Sequence, residues 1–388
     1  MMTFDSSQPT DVLIVGAGPV GLTAAVTLRR RGANVRVVDA GEHGASTSRA
    51  AVIHARTLEV LASIDLAAPI VDEGVIVPDF TVRDGARKLA HLDFRGLRTR
   101  YPFTLMLSQA RTEQILTRAF TDLGGEVERT VAFESFGAGS GTESVILRHR
   151  DGTLEEAASR FVIGADGGRS SVRAARAITF DGSDYAASFV LADVSLTWSL
   201  APDEVQLFLA RQGLVVVAPL PGGRHRIVAT MDDAPAEPTA ADVQRILDER
   251  GPGDAVVRSV AWSSRFRVAH RLASTYRDGS VFLAGDAAHV HSPAGGQGMN
   301  LGIQDAVVLG GILSDVLAGT RDEDSLSEYE RLRRPAARGV IALTDRMTRM
   351  ATLRSPILRR LRNAAIGVAL HSPRLQHELA RRIAQLDA

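Results

Sequence analysis

The 388-residue chain contains no cysteine. Structural disulfides, thiolate metal sites and redox-active cysteine pairs are therefore excluded. Lysine is almost missing as well: Lys88 is the single lysine among 45 basic residues. Basic and acidic residues balance at 45 each, so no net positive field points to nucleic acid as a partner. No run approaches the roughly 18 apolar residues of a membrane helix, which predicts no integral membrane segment. The opening MMTFDSSQPTD has no basic stretch followed by an apolar core, so no secretory signal is expected and the cytoplasm is the default location. The remaining composition, 45% apolar and 23% charged, is that of an ordinary globular protein with chain enough for two or three domains.

Against those absences stand three glycine-rich pieces, GAGPVG at Gly16–Gly21, GADGGRSSVR at Gly164–Arg173 and GDAAHVHSPAGGQGMN at Gly285–Asn300. Asp11–Val15 reads as a buried parallel strand and Pro19–Arg31 as a helix closed by Gly32. Between them Gly16, Gly18 and Gly21 stand at the spacing of a dinucleotide turn. Gly16 permits the tight turn, Gly18 lets a pyrophosphate approach the backbone, and Gly21 lets helix and strand pack closely, with Pro19 and Val20 opening the helix. A second strand, Val35–Val38, ends at Asp39, about 20 residues on, where a carboxylate can bond adenosine ribose hydroxyls. This pattern predicts a dinucleotide without choosing between NAD and FAD.

The later pieces extend the prediction. Phe161–Gly164 finishes an apolar strand, and the chain then turns through Asp166. Val281–Ala284 is a further strand, ending in Gly285 and Asp286, whose carboxylate could bond the ribityl chain of an extended dinucleotide. The run from Pro293 through Gly296, Gly298 and Met299 to Asn300 leads into a long apolar helix, Leu301–Leu317. Free amides at that helix start form an anion site suited to the pyrimidine end of a reduced isoalloxazine.

Taken together, these motifs resemble the single-component FAD-dependent aromatic hydroxylases of the para-hydroxybenzoate hydroxylase fold, over about residues 11–345. Supporting pieces are SRAAVIHARTLEVL (Ser48–Leu61), SQARTEQIL (Ser108–Leu116) and YERLRRP (Tyr329–Pro335). The resemblance implies that Arg49 reaches the FAD pyrophosphate, that Gln109 lies along the cofactor and that Asp166 serves both FAD and an incoming nicotinamide nucleotide. It further implies that Asp286 holds the ribityl chain and that Pro293 edges the flavin ring. NADPH or NADH would reduce FAD, and reduced flavin would capture O₂ as a C4a-hydroperoxide for transfer to an electron-rich ring carbon. No obligatory side-chain nucleophile or acid is expected, so no catalytic residue is assigned; His54, His225 and Tyr101 are candidates for a substrate base. The partners so implied are a small aromatic molecule and O₂, with a monomer or homodimer as the assembly. A non-hydroxylating flavoprotein, whether reductase, halogenase-like or a shield for an intermediate, is the alternative. His289 and His291 stand two apart in a loop and are not read as metal ligands.

Between Ile178 and about Tyr276 the pattern changes to short alternating strands, Val190–Trp198, Glu204–Ala210, Gly213–Leu220 and His225–Met231. They predict an antiparallel sheet, joined by Val75–Arg83 and Leu89–Asp93, roofing a substrate pocket. Trp198 and Trp262 are expected to pack the sheet, and Thr239 to cap a helix through Arg250. The expected fold is therefore α/β: a Rossmann-like FAD-binding domain (1–72, 106–177 and 276–345), an inserted, mainly antiparallel β-sheet substrate domain (73–105 and 178–275) and a helical tail (346–388). In the tail, Ser355-Pro356 and Ser372-Pro373 predict two helix starts. Leu353, Ile357, Leu361, Ala365 and Val368 form an apolar stripe on a basic segment. Such a stripe packs on its own domain, on a subunit or on a membrane surface.

Overall fold

The computed structural model describes residues 10–44, 50–138, 142–231, 234–353, 355–369 and 371–387. Three sheets organise them. The first is built on parallel strands in the spatial order Val281–Leu283, Leu154–Gly164, Thr10–Val15, Val35–Asp39 and Val127–Arg129, with the short Arg277–Asp278 on one edge. Residues 12–15, 161–164 and 281–283, at the centre of this sheet, are apolar and buried because both faces are covered. The helices Pro19–Arg30 and Gly298–Leu317 pack against each other beside it, and glycines let them approach closely. A Cβ on Gly302 would lie 2.6 Å from Val20, and one on Gly310 would lie 2.8 Å from Thr27. The helix Gly298–Leu317 is apolar enough to resemble a membrane span, but 72% of that window is buried.

The second sheet runs His289–Val290, Val256–Ala273, Phe180–Thr197, Arg224–Met231, Gly213–Leu220, Val205–Ala210, Asp79–Asp84 and Arg87–Asp93. All its pairings are antiparallel except Val205–Ala210 with Asp79–Asp84. The helix Ala240–Arg250 covers one face, opened by Thr239 in a reciprocal capping box with Asp242. Trp198 packs there against Phe208 and His225.

Two expectations need correction. Val75–Val77 does not join this sheet; it pairs with Thr104–Met106 and, through it, Val52–Ile53, in a separate three-stranded sheet. The sheet also contains a long strand that the alternation did not predict, Val256–Ala273. Its pairing with Phe180–Thr197 shifts register three times, which breaks the two-residue period on which sequence reading depends.

Candidate functional site

The three glycine pieces meet at one edge of the parallel sheet. Val15 lies beside Gly164, and Gly164 beside Leu283, in parallel register. Gly16, Asp166 and Gly285 therefore leave the carboxyl ends of three neighbouring strands, where open α/β sheets bind ligands. Gly16 has φ +105°, and a Cβ there would lie 2.4 Å from the Ala165 carbonyl oxygen. A Cβ on Gly21 would lie 1.9 Å from the Gly16 carbonyl oxygen. Gly18 differs: a Cβ there would meet nothing within 4 Å. It faces open space, the cradle that a pyrophosphate needs.

A cleft of about 450 Å³ opens on this edge, lined among others by Gly16, Gly18, Asp39, Gln109, Glu113 and Asp166. Asp39 accepts bonds from the backbone N–H of Ala17 (2.6 Å) and Gly41 (2.7 Å), and the Arg129 guanidinium lies 3.4 Å away. Gln109 begins a helix capped by Ser108, donates to Glu113 at 2.9 Å and accepts from the Ala50 N–H. Asp166 Oδ2 accepts from the backbone N–H of Ser171 (2.7 Å) and Val172 (3.2 Å), while its buried Oδ1 is without a partner. An orphan carboxylate oxygen beside a glycine cradle fits a hydroxyl-rich dinucleotide. Arg49 lies outside the described residues.

Beyond this cleft, Asp286 is exposed in the one-turn helix Gly285–Ala287. The Pro293–Asn300 loop follows, with Gly295 and Gly296 at φ +78° and +65°. Asn300 anchors the loop, donating to the carbonyls of Val52 and Gly296, both at 2.7 Å, and accepting from the His54 N–H at 2.8 Å. Gly298 and Met299 start the helix, where unpaired amides create a positive end.

Of the candidate bases, His54 and His225 are buried and Tyr101 is half-buried. His54 is fully buried, donates from Nε2 to the Gly295 carbonyl at 2.8 Å, and burial holds its pKa down at about 4. His225 lies on the helix-covered face of the antiparallel sheet beside Trp198, and burial lowers its pKa too. Tyr101 packs against Phe103 and Arg100. Burial likewise holds His291 at about 4. Both imidazoles are neutral when folded and ordinary, near 6.5, when unfolded. Below about pH 6.5 the unfolded chain binds protons that the folded chain does not, so stability falls as pH falls. The loss grows to about 3 kcal/mol per imidazole by about pH 4. Urea unfolding at about pH 7.5 and about pH 5 checks this, and greater stability at the lower pH would contradict it.

Sequence reading missed two networks. Asp305, fully buried in the helix Gly298–Leu317, accepts from His289 at 2.6 Å, from Arg333 at 2.7 Å and from the Gly285 N–H at 3.3 Å. Burial pushes its carboxyl up, but His289 and Arg333 outweigh that and hold it below its ordinary value. His289 thus belongs to a strut beneath the Gly285–Asp286 turn, and YERLRRP supplies its guanidinium. The second network is a chain of amides. Gln304 donates to Gln385, Gln385 to Gln297 at 2.6 Å, and Gln297 to the carbonyls of Gly295 (3.0 Å) and Ile383 (3.1 Å). It ties the tail to the glycine loop, with Gln385 in the left-handed region at φ +59°. Replacing Gln385 by leucine leaves two buried amides short of a partner. The expected loss is about 1–3 kcal/mol, read as a lower melting temperature and faster release of flavin; an unchanged melting temperature would contradict the assignment.

On the sheet side, the buried Arg226 is fully engaged. It donates to both oxygens of Asp193, at 2.7 and 2.8 Å, and to the Ala50 carbonyl at 2.9 Å. Arg271 pairs with Asp184, Arg277 donates to the Gly279 carbonyl, and the Arg267 side chain is outside the described set. Among the described residues there is no cluster of three or more His, Cys, Asp or Glu suited to a metal.

Comparison with known proteins agrees with this geometry. Residues 9–344 match the family model for an FAD binding domain. The chain is 39% identical over 352 residues to 6-methylpretetramide 4-monooxygenase of Streptomyces rimosus, covering 89% of this chain and 63% of that relative's length. The crystal structure of p-nitrophenol 4-monooxygenase from Pseudomonas putida superposes with a TM-score of 0.88 at 25% identity, covering 98% of both chains. The anhydrotetracycline hydroxylase OxyS of Streptomyces rimosus gives 0.81 at 34% identity, covering 98% of this chain and 77% of that one.

Proposed function

The chain belongs to the FAD-binding family of flavoprotein monooxygenases, and from that premise we propose that it hydroxylates a neutral aromatic, preferentially polycyclic, molecule using NADPH or NADH and O₂. The observation that carries the reading is the convergence of Gly16, Asp166 and Gly285 at adjacent strand ends. FAD supplies the redox and oxygen-activating chemistry when bound; the protein's own residues hold, orient and shield.

In this reading the Gly16–Gly21 turn, with Pro19 and Val20, receives the pyrophosphate, together with Arg49. Asp39, pinned by two backbone amides, presents its remaining lone pairs to the adenosine ribose. Gln109 borders the cofactor, and Asp166 and Asp286 take its hydroxyls. Pro293, Gly296, Gly298, Met299 and Asn300 form the wall at the flavin ring, where the positive end of the helix favours negative charge on the reduced ring.

A neutral substrate is favoured because the buried guanidinium of Arg226 is already neutralised by Asp193 and would not clamp a carboxylate. The named activities of the Streptomyces relatives, on 6-methylpretetramide and anhydrotetracycline, favour a polycycle. A simple phenol is the second reading, favoured by the nitrophenol enzyme's superposition along its full length. Stopped-flow absorbance of the FAD-loaded protein mixed with NADPH or NADH separates them, using a panel of phenols and polycyclic aromatics. The expected result is that a polycycle accelerates flavin reduction more than any phenol does. If no aromatic accelerates it, the non-hydroxylating alternative takes its place.

A further inference from the structure

One helix is packed upside down. In Pro356–Ala369 the polar side faces the protein: buried Arg362 donates to the Met350 carbonyl at 2.7 Å, and Asn363 to Asp84 at 2.8 Å. The apolar stripe faces out, with Ile357 71%, Leu361 61% and Val368 77% exposed. Leu358, Met350 and Leu375 extend it, so that six of the ten large hydrophobic residues exposed among the described residues fall between 350 and 375. Exposed apolar surface gathered in one place marks an interaction site.

The charge around the stripe says what covers it. Residues 346–377 contain seven arginines and neither aspartate nor glutamate; Arg362 faces the protein, while Arg346, Arg349, Arg360 and Arg374 are exposed among the described residues. The one ion pair that the described structure gives to these arginines joins Arg349 to Asp345, from the preceding turn. Arg360 and Arg374 are exposed beside the stripe. A two-fold contact with a second copy would set this arginine-rich rim against itself, which is repulsive. The complement is a surface both apolar and anionic. Aliphatic side chains along a helix about 21 Å long, rimmed by arginine, match the boundary between acidic headgroups and acyl chains.

We propose that the helix Pro356–Ala369 and its flanks dock this protein onto an anionic lipid surface. The contact is peripheral and reversible, and it is independent of the reaction proposed above.

Flotation of the FAD-loaded protein with phosphatidylcholine vesicles, with and without phosphatidylglycerol, tests it. The protein is expected to float with the phosphatidylglycerol vesicles, to be released by salt, and to float poorly with phosphatidylcholine alone. Arg360→Gln with Arg374→Gln is expected to lower partitioning about 25-fold, at about fivefold per arginine. Leu361→Glu with Val368→Glu is expected to abolish it. Leu154→Glu, at a residue 60% exposed elsewhere, is expected to float like the parent. Because all these residues are exposed, each variant keeps its flavin content and melting temperature, so a folding failure is visible separately. The proposal is overturned if the parent ignores phosphatidylglycerol, or if Leu361→Glu with Val368→Glu floats unchanged. It is equally overturned if light scattering finds a dimer that this double variant splits, which would assign the face to a second copy, or if the face instead captures an acidic protein while ignoring lipid.

Discussion

Substituting valine for Gly18 is expected to leave the apoprotein folded and to weaken FAD binding by at least about 100-fold, or about 2.7 kcal/mol. The position isolates ligand approach from folding. Its backbone is ordinary, at φ −77°, and an added Cβ meets no protein atom within 4 Å. The apoprotein then loses only what a poorer helix cap costs, about 1 kcal/mol. What the side chain does occupy is the space over the first turn of Pro19–Arg30, where a pyrophosphate would meet the backbone amides. Gly21 makes the contrast. A Cβ there would lie 1.9 Å from a backbone oxygen, so Gly21→Ala is expected to lose the fold and the cofactor together. Apoprotein thermal unfolding and FAD titration of both variants check the pair. A Gly18→Val variant that binds FAD like the parent would contradict the placement of the cofactor.

The second large effect concerns Asp305. Changing it to asparagine leaves the Arg333 guanidinium and the His289 ring in a dry interior without their carboxylate, while the Gly285 N–H loses its charged acceptor. Removing one partner of a buried ion pair costs about 3–5 kcal/mol, and denaturant unfolding is expected to show a loss of that size. The Gly285–Asp286 turn rests on this strut, so flavin retention falls in step. Removing both charges, with Asp305→Leu and Arg333→Met, avoids an uncompensated ion and is expected to recover part of the stability. If Asp305→Asn is as stable as the parent, the strut contributes nothing to the site.

The α/β class and the strand–turn–helix at Gly16–Gly21 were legible because local signals coincide there. An apolar strand, glycines at fixed spacing and an acid at the next strand end all agree. The capping of Ala240–Arg250 by Thr239 was legible for the same local reason. Partnerships that cross the chain were not. His289, Asp305 and Arg333 carry no spacing rule that ties them together, although an acid amid the apolar residues of a core helix was a signal that a buried cation must exist. Arg226 and Asp193 sit on strands whose pairing no periodicity reveals. The long strand Val256–Ala273 was hidden by its bulges and arginines. The tail stripe was read from its period, but which way it faces depends on Arg362 and Asn363 finding partners on other elements.

In the proposed reaction this chain places an oxygen atom from O₂ on an aromatic ring. The most direct measurement is turnover of the FAD-loaded protein, with NADPH or NADH and the polycycle that best accelerates flavin reduction, under isotopically heavy O₂. Mass spectrometry of the product is expected to show one heavy oxygen per molecule, on a ring carbon, with none acquired from heavy water. Nicotinamide oxidation that yields only hydrogen peroxide and unaltered aromatic, or a product whose new oxygen comes from water, would contradict it.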